Sequence, residues 1–368
     1  MLGRLVVMLW AALVLAACGG SEGQQAGPLP TTSSDIGRGA LHGAGATFPA
    51  PFYQKAFAAY TQQHRAVTIA YDAVGSGAGI QQFTQRAVDF GASDVPLQPQ
   101  ELEAAGGTDS LIQLPSTIGV IAVSYNLPGL DGLKLDGPTL ADIYLGKVRR
   151  WDDPQLKQLN PGANLPPRDI SPVHRSDSSG TTFAFTDYLS KVSDAWKAAV
   201  GSAKSVKWPG GAGAGASGNL GVAQMVQATQ SAVGYVELAY ANQVKLQSVQ
   251  LRNQAGSYVA PTSAGGTSAG AALLGISPTN FSITDADGSD AYPISTLSWV
   301  MIRKDQQDAQ KARALVYLWR WTITQGQPYA ASLDYAPLPN DIQNFALAQL
   351  TKIRHQGKAV LPYLADIR

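Results

Sequence analysis

Three short stretches, far apart in the chain, combine hydroxyls, glycines and a guanidinium in a way suited to holding an anion. They are Gly45-Ala46-Thr47-Phe48-Pro49, Gly75-Ser76-Gly77-Ala78-Gly79 and Arg175-Ser176-Asp177-Ser178-Ser179-Gly180-Thr181-Thr182. Each stands where a helix is expected to begin. A helix N-terminus carries unpaired backbone N–H groups and a partial positive charge, so it is a ready seat for negative oxygen. Three such seats meeting at one point would wrap a small tetrahedral oxyanion. The sequence shows no nucleophile paired with a base and no metal-ligand cluster, so the chemistry suggested is capture, not turnover.

Positioning those stretches requires alternating strands and helices. Phe48 to Gln63 has the spacing of a helix with Phe52, Ala56, Ala59 and Tyr60 on one face, and Pro49 and Pro51 fit its first turn. Val67 to Tyr71 and Val88 to Ala92 read as strands, the second ending at Ser93-Asp94. Ile118 to Val123 is a continuous apolar run, the mark of a buried strand. Ile170 to Val173 leads into the Arg175 stretch. One helix with an apolar stripe from Phe185 through Tyr188, Leu189 and Val192 to Trp196 is expected after it. Ala232 to Val236 and Leu297 to Ile302 read as further strands. Two helices close the chain, one carrying Leu315, Leu318, Trp319 and Ile323, the other Ile342, Phe345, Leu350 and Ile353. This alternation predicts open α/β sheets with a ligand site at the strand C-terminal ends, where all three stretches fall.

The chain has 368 residues, 45% apolar and 14% charged, with a formal net charge of +1. That length allows about two domains, and the near-neutral balance argues against a nucleic-acid partner. Anion capture must then rest on local groups, without a global positive field. At the N-terminus, Arg4 precedes an apolar run of about 13 residues, Leu5 to Ala17, too short to span a bilayer. It ends in Leu15-Ala16-Ala17-Cys18, which looks like the lipobox of bacterial lipoproteins. Cys18 is the only cysteine, so no intrachain disulfide is possible. The Gly-, Ser-, Gln-, Pro- and Thr-rich segment that follows, to Gly39, cannot bury enough surface to fold and reads as a tether of roughly 25 Å reach.

Taken together, GAGATFPAPFY, VDFGASDVPL, DIYLGKVRRWDDP, RSDSSGTTFAFTDYL, VKWP, AVGYVELAYA and LDYAPLP resemble, in order, the substrate-binding proteins of bacterial phosphate ABC transporters. The resemblance runs from about Leu41 to Pro339. It implies an α/β, two-lobed periplasmic-binding-protein (Venus-flytrap) fold closing by a hinge. It divides the chain into a lipoprotein signal peptide (1–17), a tether (18–39), lobe one (40–123 plus 295–368) and lobe two (124–294). It implies a non-enzymatic receptor that holds inorganic phosphate between the lobes. The receptor would deliver it to membrane permease subunits, needing neither cofactor nor metal. The protein would be a monomer outside the cytoplasm, lipid-anchored to the cell membrane at Cys18, or periplasmic if that box is not used. By the family pattern Thr47, Phe48, Ser76, Asp94, Arg175, Ser179, Gly180 and Thr181 bind phosphate, and Asp177 orients Arg175. Gly77 stands where many relatives carry a second serine, a departure that implies the loss of a peripheral hydroxyl donor.

Physical logic supports that pattern. An ionised carboxylate such as Asp94 only accepts hydrogen bonds, so it favours a guest that still carries a proton. Sulfate carries none, and a buried site built around a hydrogen bond rejects the analogue lacking it by about 10⁴ to 10⁵. Arg175 offers a planar fork matched to tetrahedral oxyanions, and the other donors are neutral dipoles that desolvate more cheaply than charges. A receptor for another tetrahedral oxyanion, such as sulfate or molybdate, is the alternative.

Other signals carry less. Gly213 to Gly218 fits the dinucleotide G-x-G-x-x-G spacing but follows Trp208-Pro209 and a glycine run, so a flexible loop is expected. His42, His64, His174 and His355 lack paired metal spacing. Asp285, Asp287 and Asp290 fail the EF-hand spacing, and Asp152-Asp153 before Pro154 marks a loop or helix start.

Overall fold

The computed structural model describes residues 36–210 and 213–361. The apolar leader, Cys18 and most of the expected tether lie outside the described residues. Strands and helices then alternate as the patterning predicts. Strand β1 (Gly39–Gly45) leads to the helix Ala50–Gln63, whose buried Phe52, Tyr53, Ala56, Phe57 and Tyr60 recur at three- and four-residue spacing. That face packs its rings edge-on against Trp319 of the closing helix Ala309–Ile323. Strand β2 (Val67–Ala73) returns parallel to β1.

The spine of the fold is β4 (Leu111–Tyr125), all of whose residues are buried. Its first part pairs antiparallel with β12 (Ser295–Arg303), and its last part pairs antiparallel with β8 (Ala232–Glu237). On the β12 side the sheet continues through β3 (Phe90–Ser93) to β1 and β2. On the β8 side it continues through β6 (Ser171–Arg175) to β7 (Ala214–Ala216). One strand thus belongs to two half-sheets. Strand β9 (Gln247–Ser248) adds to the end of β4. A small separate sheet holds β5 (Lys134–Leu135), β10 (Gln250–Arg252) and β11 (Tyr258–Val259).

The spine is longer than the apolar run Ile118 to Val123, because its polar residues find partners in the sheet. Gln113 accepts from Leu97 N–H at 2.7 Å, and Ser116 donates to the Ser298 carbonyl at 3.1 Å. Pro115 cannot donate to a ladder. The β12 register slips there: Ser298 faces Thr117 while Trp299 faces Pro115, leaving Ser116 as a bulge.

Three expectations are corrected. The stripe from Phe185 to Trp196 belongs to two helices, Gly180–Val192 and Asp194–Ala199. Ser193 divides them, accepting from Trp196 N–H at 3.2 Å as an N-cap that starts the second. Gly213 to Gly218 is no flexible loop: Ala214–Ala216 forms β7, parallel to β6, and Gly218 opens the helix Gly218–Ala228. Its glycines permit close packing, since a Cβ on Gly213 would collide with the Pro172 carbonyl. Ile353 lies buried just beyond the last helix, Asn340–Leu350.

Candidate functional site

All three expected stretches sit at strand-to-helix turns. Thr47 and Phe48 follow β1, Ser76 opens the helix Ser76–Thr84 after β2, and Ser179 caps the helix Gly180–Val192 after β6. The Ser179 hydroxyl accepts from Thr182 N–H at 3.2 Å. Gly75 makes the second turn with φ +93°, and a Cβ there would stand 2.6 Å from Asp177 Oδ2; only glycine fits both conditions.

The turns converge. Gly180 N–H donates to Ser76 Oγ at 3.0 Å, and Gly77 N–H donates to the Ser178 carbonyl at 3.0 Å. Thr181 Oγ1 lies 3.4 Å from Asp94 Oδ2 and accepts from Arg175 Nη1 at 3.3 Å. Ser76, Asp94, Arg175, Ser179 and Thr181 are all buried, and so is Phe48. Among the described residues, the backbone N–H groups of Phe48, Ser76 and Thr181 find no protein acceptor, so they are donors left to a guest.

Arg175 is locked in place. Its Nε and Nη2 pair with the two oxygens of Asp177 at 2.7 and 2.5 Å, and its own N–H donates to Tyr235 Oη at 3.0 Å. Asp177 also accepts from Gly218 N–H at 3.0 Å. Burial works against the Asp177 charge, but the Arg175 pair outweighs it and holds the carboxyl below its ordinary range. His174, beside Arg175, turns away and stacks on Trp208 with centroids 4.6 Å apart.

Asp94 is 2% exposed. Burial pushes its carboxyl up to about 7, against the Ser298 hydrogen bond, the Arg175 charge and the Thr181 hydroxyl. Its Oδ1 receives the Ser298 hydroxyl at 2.7 Å, and its carbonyl receives Thr296 Oγ1 at 3.0 Å. The charges are thus one buried guanidinium and two carboxylates, so attraction for an anion falls to helix N-termini and hydroxyls. A donor-lined site with a single unpaired carboxylate suits a tetrahedral oxyanion that keeps a proton.

Gly77 has a second role besides its missing hydroxyl. A Cβ there would come 2.4 Å from Ser178 Cβ and Oγ, so its bareness allows the two turns to touch. Gly180 is similar: a Cβ would lie 2.6 Å from the Asp94 Cβ and backbone nitrogen.

Sequence reasoning passed over three neighbours. Asn219, the second residue of the helix Gly218–Ala228, reaches both Thr47 and Thr181. Its signal was the apolar spacing Val222, Ala223 and Val226 after Gly218, which marks a fourth strand-to-helix turn. Ser298 lies within an apolar strand, and no local pattern sets it apart. Tyr240 Oη donates to the Thr47 carbonyl at 2.6 Å from another helix, Leu238–Gln243.

The PBP superfamily domain model matches residues 30–318. The chain is 41% identical over 306 residues to the phosphate-binding protein PstS of Pasteurella multocida, covering 82% of this chain and 87% of that one. It is 42% identical over 309 residues to the phosphate-binding protein PstS of Xylella fastidiosa, covering 82% of each. Its fold is similar to the X-ray structure of a phosphate-binding protein from Stenotrophomonas maltophilia. There the TM-score is 0.65 at 21% identity, covering 84% of this chain and 93% of that one. The chain therefore belongs to the PstS family of phosphate-binding proteins, within the PBP superfamily.

Proposed function

We propose that this chain is an extracytoplasmic receptor that binds inorganic phosphate between its two half-sheets and delivers it to the permease of a phosphate ABC transporter. The observation that carries this reading is the buried carboxylate of Asp94 set among donors from three helix starts. A phosphate with a remaining O–H donates to Asp94 while its other oxygens accept from the N–H groups of Phe48, Ser76 and Thr181, the hydroxyls of Thr47, Ser76, Ser179 and Thr181, and Arg175. Gly180 contributes by its bareness and by holding Ser76 through its N–H. Asp177 fixes the guanidinium.

The half-sheets act as lobes, 40–123 plus 295–368 and 124–294, that move about the shared strand β4. Contacts between the lobes support a clamp: Gly77 to Ser178, Gly180 to Ser76, and the ion pair Lys204–Glu101 at 2.5 Å. Phosphate bridging both lobes would stabilise the closed arrangement. This reading takes the receptor as a monomer without catalytic activity, in keeping with relatives named as phosphate-binding proteins. No helix among the described residues is long and apolar enough to cross a membrane. Attachment is assigned to lipid on Cys18, on the strength of the leader ending Leu15-Ala16-Ala17-Cys18.

Denaturing the purified protein and assaying the released anion tests the ligand. Phosphate near one per chain is expected; sulfate or molybdate in its place would refute the assignment.

A further inference from the structure

The hydroxyls of Thr47 and Thr181 rotate freely about their Cβ–O bonds, and a hydroxyl can offer either its proton or a lone pair. A lone pair turned toward an oxyanion repels it. Something must fix the polarity, and one residue touches both.

Asn219 is wholly buried. Its Oδ1 accepts from the N–H of Glu237, the last residue of β8, at 3.0 Å, and this sets which way the amide faces. Both protons of Nδ2 are then committed to the cleft. One goes to Thr47 Oγ1 at 3.0 Å, the other to Thr181 Oγ1 at 3.3 Å. The backbone N–H of Asn219 adds a second bond to Thr47 Oγ1 at 3.2 Å, and Arg175 Nη1 adds a second to Thr181 Oγ1 at 3.3 Å. A hydroxyl oxygen has two acceptor lone pairs. In each threonine both are filled, and the one remaining function is the proton, which in Thr181 points to Asp94 Oδ2 at a long 3.4 Å and is free to turn to a guest.

We propose that Asn219 is a positioning residue that turns Thr47 and Thr181 into obligate donors to the bound oxyanion. This rests on the phosphate-receptor reading above. Thr47 follows β1 and Asn219 follows β7, so the polarity of Thr47 is set only when the two half-sheets approach. Donor alignment and closure are thereby one event.

The test is a double-mutant cycle on phosphate affinity in the full-length protein, read by calorimetric titration. Asn219→Ala in the wild-type background should weaken phosphate about tenfold to a hundredfold, the range for losing hydrogen bonds at a buried site. In a Thr47→Val, Thr181→Val background, the same change should alter affinity by less than about twofold, because the hydroxyls it acts through are gone. An equal loss in both backgrounds overturns the proposal, since that is what simple support of Glu237 would give. Asn219→Asp keeps the size and the Glu237 bond but accepts both hydroxyl protons. It should bind more weakly than Asn219→Ala, and wild-type affinity would overturn the proposal even if the alanine variant fails to fold. A wild-type chain that prefers sulfate refutes the ligand assignment alone, and the cycle run with sulfate still decides the role of Asn219. A wild-type chain that binds neither anion overturns both.

Discussion

The hydroxyl of Ser298 meets the Oδ1 of Asp94 at 2.7 Å, joining residues 204 positions apart in the chain. The contact follows from strand register. Trp299 of β12 stands opposite Ser93 of β3, so Ser298 comes abreast of Asp94, and the Ser116 bulge lies on the other side of the same strand. One carboxylate oxygen is thereby satisfied, while the other makes only a long 3.4 Å contact with Thr181. Asp94 has acceptor capacity to spare, and it faces the converging helix starts.

Replacing that acceptor should change selectivity more than folding. Asp94→Asn presents an amide of the same shape that can donate to an oxyanion. The preference for phosphate over sulfate should fall by at least about a hundredfold, as expected when a hydrogen-bond check is removed. Paired calorimetric titrations with the two anions measure it; an unchanged ratio would remove Asp94 from the selectivity argument.

The Asp94 carboxyl also makes stability depend on pH. Burial raises it from 3.8 to about 7, so the folded protein holds this proton more tightly than the unfolded chain. Stability from this group is fully present below about 4 and is lost as pH rises through about 7. Thermal melts of ligand-free wild type and Asp94→Asn, compared across that window, should diverge with wild type falling faster. Parallel curves would mean that Asp94 is ionised throughout.

Arg175 is 3% exposed, and its partner Asp177 is bound on both oxygens. Arg175→Ala leaves Asp177 with the Gly218 N–H and without its counter-charge. Breaking such a pair should cost about 3–5 kcal/mol of folding stability, measurable by urea denaturation. Phosphate binding should be lost as well. Arg175→Lys should recover part of the stability and little of the binding, because an ammonium cannot hold Asp177 with two parallel bonds and reach Thr181.

Gly180 and Gly77 test whether the turns must touch. Gly180→Ala places a methyl 2.6 Å from the Asp94 backbone, where little can yield. Overpacking of this kind is worth about 1–3 kcal/mol, so phosphate affinity should drop about tenfold to a hundredfold. The ligand-free melting temperature should hardly move, because the halves can separate. Gly77→Ser should act the same way, weakening affinity despite adding a hydroxyl. Tighter binding by Gly77→Ser would show that the missing donor matters more than the contact with Ser178.

Much of this site was legible because each strand-to-helix turn is local: Thr47-Phe48, Ser76 and Ser179-Gly180-Thr181 announce themselves by glycine, hydroxyl and helix start. Alternation of strands and helices was legible for the same reason. What escaped depends on partners distant in sequence. Ser298 looks like any residue of an apolar strand until β12 is laid against β3. Asn219 was hidden because the glycine richness of Gly213 to Gly218 suggested disorder, whereas those glycines let β7 pack beside β6. The break at Ser193 was masked because the apolar face continues through the cap to Trp196.

The most direct measurement is a calorimetric titration of the anion-stripped, wild-type protein with sodium phosphate and with sodium sulfate at pH 9, above the value of about 7 for the Asp94 carboxyl, where it is ionised and only accepts. The account predicts one phosphate per chain, with sulfate weaker by about a hundredfold or more. Sulfate binding as tightly as phosphate would contradict it.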